Sequence, residues 1–287
     1  MSLLAERPIQ ATFFLLLLAL VLRFLDVFVL RLDERWGEIL LSKALAFLLI
    51  LAYLHALHRR AADIGFHTHH LASSAVIAVT VTMLALAVGY GAEWIYVTLG
   101  TWQPGVVLGP PRPHPASPFA SLGAVWFGAW LVFGNVVNSL MEEGLFRGVM
   151  LTHFRTRLTP WKANFLQALL FGLWHLVWPL KMFLTGQATA SRALGVGVSY
   201  LIASGIVGLL YGYMFLRTGN LWASWIGHTL HNSTFNLVHT ATPGGLDPGI
   251  MVRGLVMSFA FLFSLLLVRG MANRFRTPAL APWSNSA

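Results

Sequence analysis

The sequence predicts an all-α protein, a polytopic membrane helix bundle of about eight transmembrane helices. Three observations carry that prediction. Hydrophobic residues fill 57% of 287 positions, charged residues only 10%, and mean hydropathy is +0.70. A soluble domain holds about 25% charged residues, so this chain lacks the polar groups to cover a water-facing surface. The apolar residues also fall in runs of about 20 separated by short polar stretches, the pattern of membrane-crossing helices.

Eight spans follow in order: 11–30, 39–57, 72–99, 119–141 (helical on to about Met150), 162–180, 193–215, 221–240 and 250–268. After Arg7, the apolar run from Ala11 to Leu22 resumes through Leu30 with no small-residue cleavage site, so the first span is expected to be retained. The Pro-rich stretch 103–118 cannot be helical throughout and is expected to form a long loop. Residues 1–273 read as one helical domain, with a candidate functional core at about 134–236. Residues 274–287 (RFRTPALAPWSNSA) read as a short, polar, mobile tail.

The formal charge of +9 raises the question of nucleic acid. The Lys and Arg residues stand at the ends of apolar segments instead of forming one patch, and no nucleic-acid motif accompanies them. They fit the retention of basic residues on the cytoplasmic side. With both termini inside, eleven basic residues lie on the inner side and seven on the outer. That count predicts an inner-membrane protein with both termini cytoplasmic. Cysteine is absent, which excludes disulfides, thiol catalysis and cysteine metal sites.

Ionisable residues inside spans are expensive, and each needs a reason. Arg23 and Asp26, three apart in the first span, read as a mutually neutralising pair. The fourth span ends in Asn138-Ser-Leu-Met-Glu142-Glu143-Gly-Leu-Phe-Arg147. Adjacent carboxylates on a helix point about 100° apart and cannot share one task. Glu143 can pair with Arg147 four residues on, which leaves Glu142 free to act as a base. The fifth span carries His175 beside Trp174. The seventh carries His228, His231 and Asn232, with His228 and Asn232 stacked on one face. Taken singly, each of these fits a structural role, as a satisfied core histidine or as interhelical glue. Taken together, a carboxylate, two imidazoles and a carboxamide on three spans of one bundle are what activating water and holding an oxyanion require.

The segments Glu142-Glu143-x-x-x-Arg147, Phe171-x-x-x-His175 and His228-x-x-x-Asn232 resemble the three-part signature of a known family. It is the CAAX-protease and bacteriocin-processing family of glutamate-type intramembrane proteases. That family includes the Ras-converting CAAX endopeptidases and the bacterial abortive-infection-type membrane proteins. The approach Arg217-Thr-Gly-Asn-Leu-Trp-Ala-Ser-Trp-Ile-Gly-His228 is similar to the lead-in to its third motif. The likeness covers roughly residues 134–236. It implies that Glu142 activates water with help from His175, and that His228 and Asn232 stabilise the oxyanion. Glu143 and Arg147 would support the end of span four. The implied partners are a membrane-associated protein or peptide substrate and the lipid bilayer, with no nucleic acid and no cofactor. The family's prenylated substrates do not carry over to a bacterial setting.

Two further readings use the same residues. Two histidines and a glutamate are a zinc-ligand set with water in fourth place, although no His-Glu-x-x-His helix is present. A non-catalytic scaffold or immunity protein would tolerate replacement of Glu142. A transporter is disfavoured, because neither an inverted repeat nor paired broken helices are visible. The motif residues stand toward the inner ends of spans four and seven, with His175 deeper, which predicts a cavity opening to the cytoplasm. His67, His69 and His70 read as a solvated interfacial loop.

Overall fold

The structure is a computed structural model that describes residues 7–281 except 101 and 116. Helix α1, Pro8–Phe24, starts with proline at its first position, where the missing N–H costs nothing, and runs on as a π-helical turn, Leu25–Leu30. A short α2 (Leu32–Trp36) leads into α3 (Leu40–Ala56) and then α4 (Leu71–Leu99). Strand β1 is Gly105–Leu108. Helix α5, Ala124–Glu143, continues through a π-helical segment, Gly144–Leu151, and ends with Thr152–Phe154. Then follow α6 (Pro160–Trp174), α7 (Val177–Leu184), α8 (Ala190–Thr218) and α9 (Leu221–Leu237). Strands β2 (Val238–Thr242) and β3 (Gly245–Leu246) precede α10 (Ile250–Phe275).

Among the described residues, six helical segments are long and apolar enough to cross a membrane: Pro8–Leu30, Leu71–Leu99, Ala124–Phe154, Pro160–Leu184, Ala190–Thr218 and Ile250–Phe275. Helices α3 and α9, with 17 residues each, occupy the other two expected places but are shorter. The chain is a multi-pass membrane protein. Its outer surface is a belt of large apolar side chains, among them Val125, Phe165, Leu194, Phe263 and Leu266, as a lipid-facing bundle requires.

The structure corrects several boundaries. The fifth span is not one helix: α6 stops at Trp174 and α7 begins at Val177, joined by tight turns at His175 and Leu176. Pro179 explains the break, because its ring removes the N–H that would reach back to His175 and crowds that carbonyl. The seventh span ends at Leu237, not at Thr240, and the chain turns into β2. The loop 103–118 contains β1, paired antiparallel with β2 from Gly105↔Ala241 to Leu108↔Val238. Nor is residue 274 the start of a mobile tail. Helix α10 continues to Phe275, Thr277 Oγ1 donates to the Arg217 carbonyl, and Leu280 N donates to the Leu216 carbonyl. Residues 282–287 of that stretch lie outside the described residues.

Packing follows small residues and buried amides. Helix α8 lies on α6 through Gly208 and Gly212, where an added Cβ would run into Ala168 and into the Asn164 and Gln167 amides. Those amides bind the α8 backbone: Asn164 Nδ2 donates to Leu209 O and Gln167 Nε2 to Gly208 O, both at 2.9 Å. Helix α4 packs on α9 and α10, and α5 packs on α3 and α9. The continuous apolar core runs through Phe146, Val149, Met150, Phe171, Trp174 and Tyr211.

Glu93, Asp247 and Arg253 meet beneath the small sheet. Arg253 lies 3.1 Å from Asp247 and 3.5 Å from Glu93, which also accepts from Thr240 Oγ1 and Gly249 N. His239 Nδ1 contacts Asp247 at 2.7 Å. The network ties β2, β3 and the start of α10 to α4. Because Gly109 N donates to Leu237 O just beyond the β1–β2 pairing, the following loop, Pro110–His114, is laid across the end of the bundle.

Candidate active site

Helix α5 supplies both carboxylates, and the structure divides them as their spacing predicts. Glu143 turns toward α9, accepting from Arg147 Nη1 at 2.9 Å and contacting His228 Nδ1 at 2.8 Å. Arg147 is fully buried with its guanidinium 4.2 Å from the Phe171 ring centroid. The π-helical segment opens directly after Glu143, where a wide turn replaces regular α geometry.

Glu142 turns the other way. Its Oε1 accepts from Trp174 Nε1 at 2.8 Å and lies 3.4 Å from Arg23 Nη1. Its Oε2 accepts no hydrogen bond among the described residues and lies 3.7 Å from His228 Nε2. Here the expected Arg23–Asp26 pair gives way: Asp26 accepts instead from the Ser42 backbone N–H at 2.8 Å. Arg23 lies over the Trp174 ring, 4.4 Å from its centroid, so that one indole both supports the guanidinium and donates to the carboxylate. A buried arginine whose nearest sequence acid is taken by a backbone N–H is legible only from the fold.

His175 stands at the break between α6 and α7. Its Nδ1 is 2.7 Å from the Phe171 carbonyl, an acceptor, so Nδ1 carries the proton and Nε2 is left for the cavity. His228 is buried behind Glu142, packed between Phe171 and Tyr211. Asn232, one turn further along α9, contacts His231 Nδ1 through Oδ1 at 3.2 Å.

Glu142, His175, Asn232 and His231 line one cavity of about 550 Å³, the size of a ligand pocket. Arg23, Asn138 and the Lys43–Glu38 pair (2.7 Å) share its wall. The wall rises past Leu131 and Phe127 to the segment 33–39, which is α2 and the turn after it, and to the loop 111–114. These belong to the bundle end opposite the start of α1 and the end of α10. The sequence predicts a cavity opening to the cytoplasm and termini on that same side; the structure puts the mouth and the termini at opposite ends of the bundle. Six sequence-selected residues therefore form one cluster: Glu142, His175 and Asn232 at the cavity, His228 beside Glu142, and Glu143 with Arg147 beneath. The residues missed were Arg23, Trp174 and Asn138, which bear no motif.

The histidine loop has a different part. His67 Nε2 contacts Gly219 O at 3.0 Å, and Asn220 Nδ2 donates to the His67 and His69 carbonyls. It clamps the α8–α9 turn through His67 and two carbonyls, while His69 and His70 are exposed as a solvated loop requires. Among the described residues, no three His, Asp or Glu side chains converge as a metal-binding set.

Residues 124–234 match the family model described as type II CAAX prenyl endopeptidase, Rce1-like. The match runs from the first residue of α5 into α9 and so contains every sequence-selected site residue. Helices α1, α3, α4 and α10 lie outside it. No relative among curated proteins matches the chain.

Proposed function

We propose, from the Rce1-like character of residues 124–234, that this membrane protein is a glutamate-type intramembrane endopeptidase of the bacterial inner membrane. It hydrolyses a peptide bond near a membrane-associated segment or C-terminal tail of another protein. The observation that carries the reading is Glu142: buried, with Oε1 held by Trp174 and Arg23, and with Oε2 left without a protein donor at the cavity floor.

Glu142 Oε2 takes a proton from water as the oxygen bonds to the scissile carbonyl carbon, and His175 Nε2 orients that water. The carbonyl π-bond opens to an oxyanion, which His228 and Asn232 receive. Collapse of the intermediate breaks the C–N bond, and the proton held by Glu142 passes to the leaving amine. Glu143 accepts from His228 Nδ1, so a contact from Nε2 to the oxyanion calls for the doubly protonated ring. Arg147 fixes Glu143.

The test compares protein termini in membranes of the native cell carrying wild type, Glu142→Gln or His228→Ala. Termini present only with wild type establish proteolysis and name the substrate. Identical termini in all three, with any phenotype retained, mean that the cluster is structural and the protein a scaffold.

A further inference from the structure

The geometry points to a second task for the cavity wall: Asn138 of α5 and Asn236 of α9 bind the main chain of an extended polypeptide through its peptide groups. This inference rests on the proteolytic reading for its occupant and adds to it a means of recognition.

The cavity face of α5 reads Phe127, Leu131, Asn135, Asn138 and Glu142, a stripe that recurs every three or four residues. It is apolar near the mouth and changes to carboxamides over the last two turns before Glu142. The adjoining α9 brings Asn232 to the same cavity and, one turn nearer the mouth, Asn236. Carboxamides from two helices thus line the approach to one carboxylate.

Helix packing does not account for all of them. The contacts that join α5 to α9 come mostly from other positions: Ser139 with Thr229, Trp225 Nε1 with the Val136 carbonyl, and His228 with Glu143. Asn135 belongs partly to that seam, with Nδ2 3.5 Å from Ser233 Oγ. Asn138 does not. Its Oδ1 is buried and has no hydrogen-bond partner among the described residues. In an apolar bundle such an oxygen is costly unless something arrives to use it.

An unfolded polypeptide supplies what is missing. Within the bundle each of its N–H and C=O groups loses water and needs a partner. A carboxamide carries a donor and an acceptor side by side, as a peptide group does, so it can serve both groups of one residue. Asn138 stands four residues before Glu142, and Asn236 four after Asn232, each a rise of about 6 Å along its helix. An extended chain covers about 6.6 Å in two residues. Asn138 and Asn236 therefore meet peptide groups about two residues from the bond that Glu142 and Asn232 address. Affinity gained this way does not depend on side-chain identity, as when a strand adds to a sheet edge.

The test reads binding without turnover. The full-length Glu142→Gln protein in detergent is titrated with fluorescent decapeptides of random sequence, and with the same mixture N-methylated at every peptide bond. The methyl groups remove the main-chain donors and leave the side chains in place. Glu142→Gln should bind the ordinary mixture at least about tenfold more tightly. With Asn138→Ala and Asn236→Ala added, that preference should shrink to within about threefold. Equal or absent binding of the two mixtures by Glu142→Gln overturns the inference, and this comparison needs no further variant to fold. A preference undiminished by the two alanines also overturns it. The terminus comparison keeps the two readings apart. Glu142-dependent termini without the preference sink the main-chain inference and leave proteolysis standing. The preference, lost with the alanines but unaccompanied by such termini, upholds the inference for a cavity that holds polypeptide and does not cut it.

Discussion

Arg23 and Glu142 meet at 3.4 Å across 119 residues of chain, so the first helix reaches the carboxylate at the centre of the cavity. The guanidinium and the Trp174 indole share one carboxylate oxygen, which leaves the other without a donor among the described residues. Arg23→Leu should lower kcat at least tenfold with a smaller effect on KM, because Arg23 holds Glu142 as well as sharing the cavity wall. Arg23→Lys keeps a charge without the planar fork and should recover only part of the loss. Steady-state kinetics on the substrate found by terminus comparison checks this. Equal losses in both variants would mean that Arg23 serves folding alone.

Trp174→Phe separates the two tasks of that indole. The ring stays near Arg23, while the hydrogen bond from Nε1 to Glu142 is lost. A bond to a charged group contributes about 1.5–3 kcal/mol to stability, so the variant should melt earlier, and turnover should fall about tenfold or more because Glu142 is held less firmly. Turnover within twofold of wild type would show that Arg23 alone holds Oε1.

Glu142 and Arg147 should differ in what their loss costs. Glu142→Gln should abolish cleavage with the smaller loss of stability, because the amide oxygen still accepts from Trp174 and Arg23. Arg147→Met removes the guanidinium from a fully buried pair and leaves Glu143 with His228 alone. Breaking such a pair costs about 3–5 kcal/mol, so this variant should melt earlier and accumulate less. Thermal unfolding followed by tryptophan fluorescence distinguishes the two.

The Glu93–Arg253 pair makes the same argument far from the cavity. Arg253→Met should destabilise by a similar amount, about 3–5 kcal/mol, because Glu93 is left buried with fewer donors. Adding Glu93→Leu should restore part of the loss. A double mutant less stable than either single variant would deny that the two charges are coupled.

Metal-free catalysis makes a simple prediction. Prolonged treatment with a tight zinc chelator should leave cleavage within twofold of the untreated protein. Loss of activity that added zinc restores would transfer the reaction to a metal-bound water held by Glu142, His175 and His228.

How much of this was legible beforehand depended on the range of the interaction involved. The Glu143–Arg147 pair and the outward turn of Glu142 follow from helical geometry within one segment, and both were visible. The grouping of Glu142, His175, His228 and Asn232 was visible because polar residues in an apolar bundle have few other places to go. Arg23 was misassigned, because Asp26 stands three residues away and nothing local reveals that the Ser42 backbone takes it. Two misses were avoidable. Pro179 marks the end of α6, and the alternating Val238, Thr240 and Thr242 before Pro243-Gly244 mark a strand and its turn. The sequence put both termini and the cavity mouth on the cytoplasmic side, and these two expectations do not hold together, because the mouth lies among loops at the bundle end opposite the termini.

The depth of Glu142 sets a length as well as a location. Fifteen residues separate Phe127, near the mouth, from Glu142 on the regular part of α5, a rise of about 22 Å. An extended chain covers that distance in about seven residues at about 3.3 Å each. A helix would need about fifteen and would bring a cylinder about 10 Å across. On the proteolytic reading proposed above, that depth favours a loose tail over a helix or a folded domain.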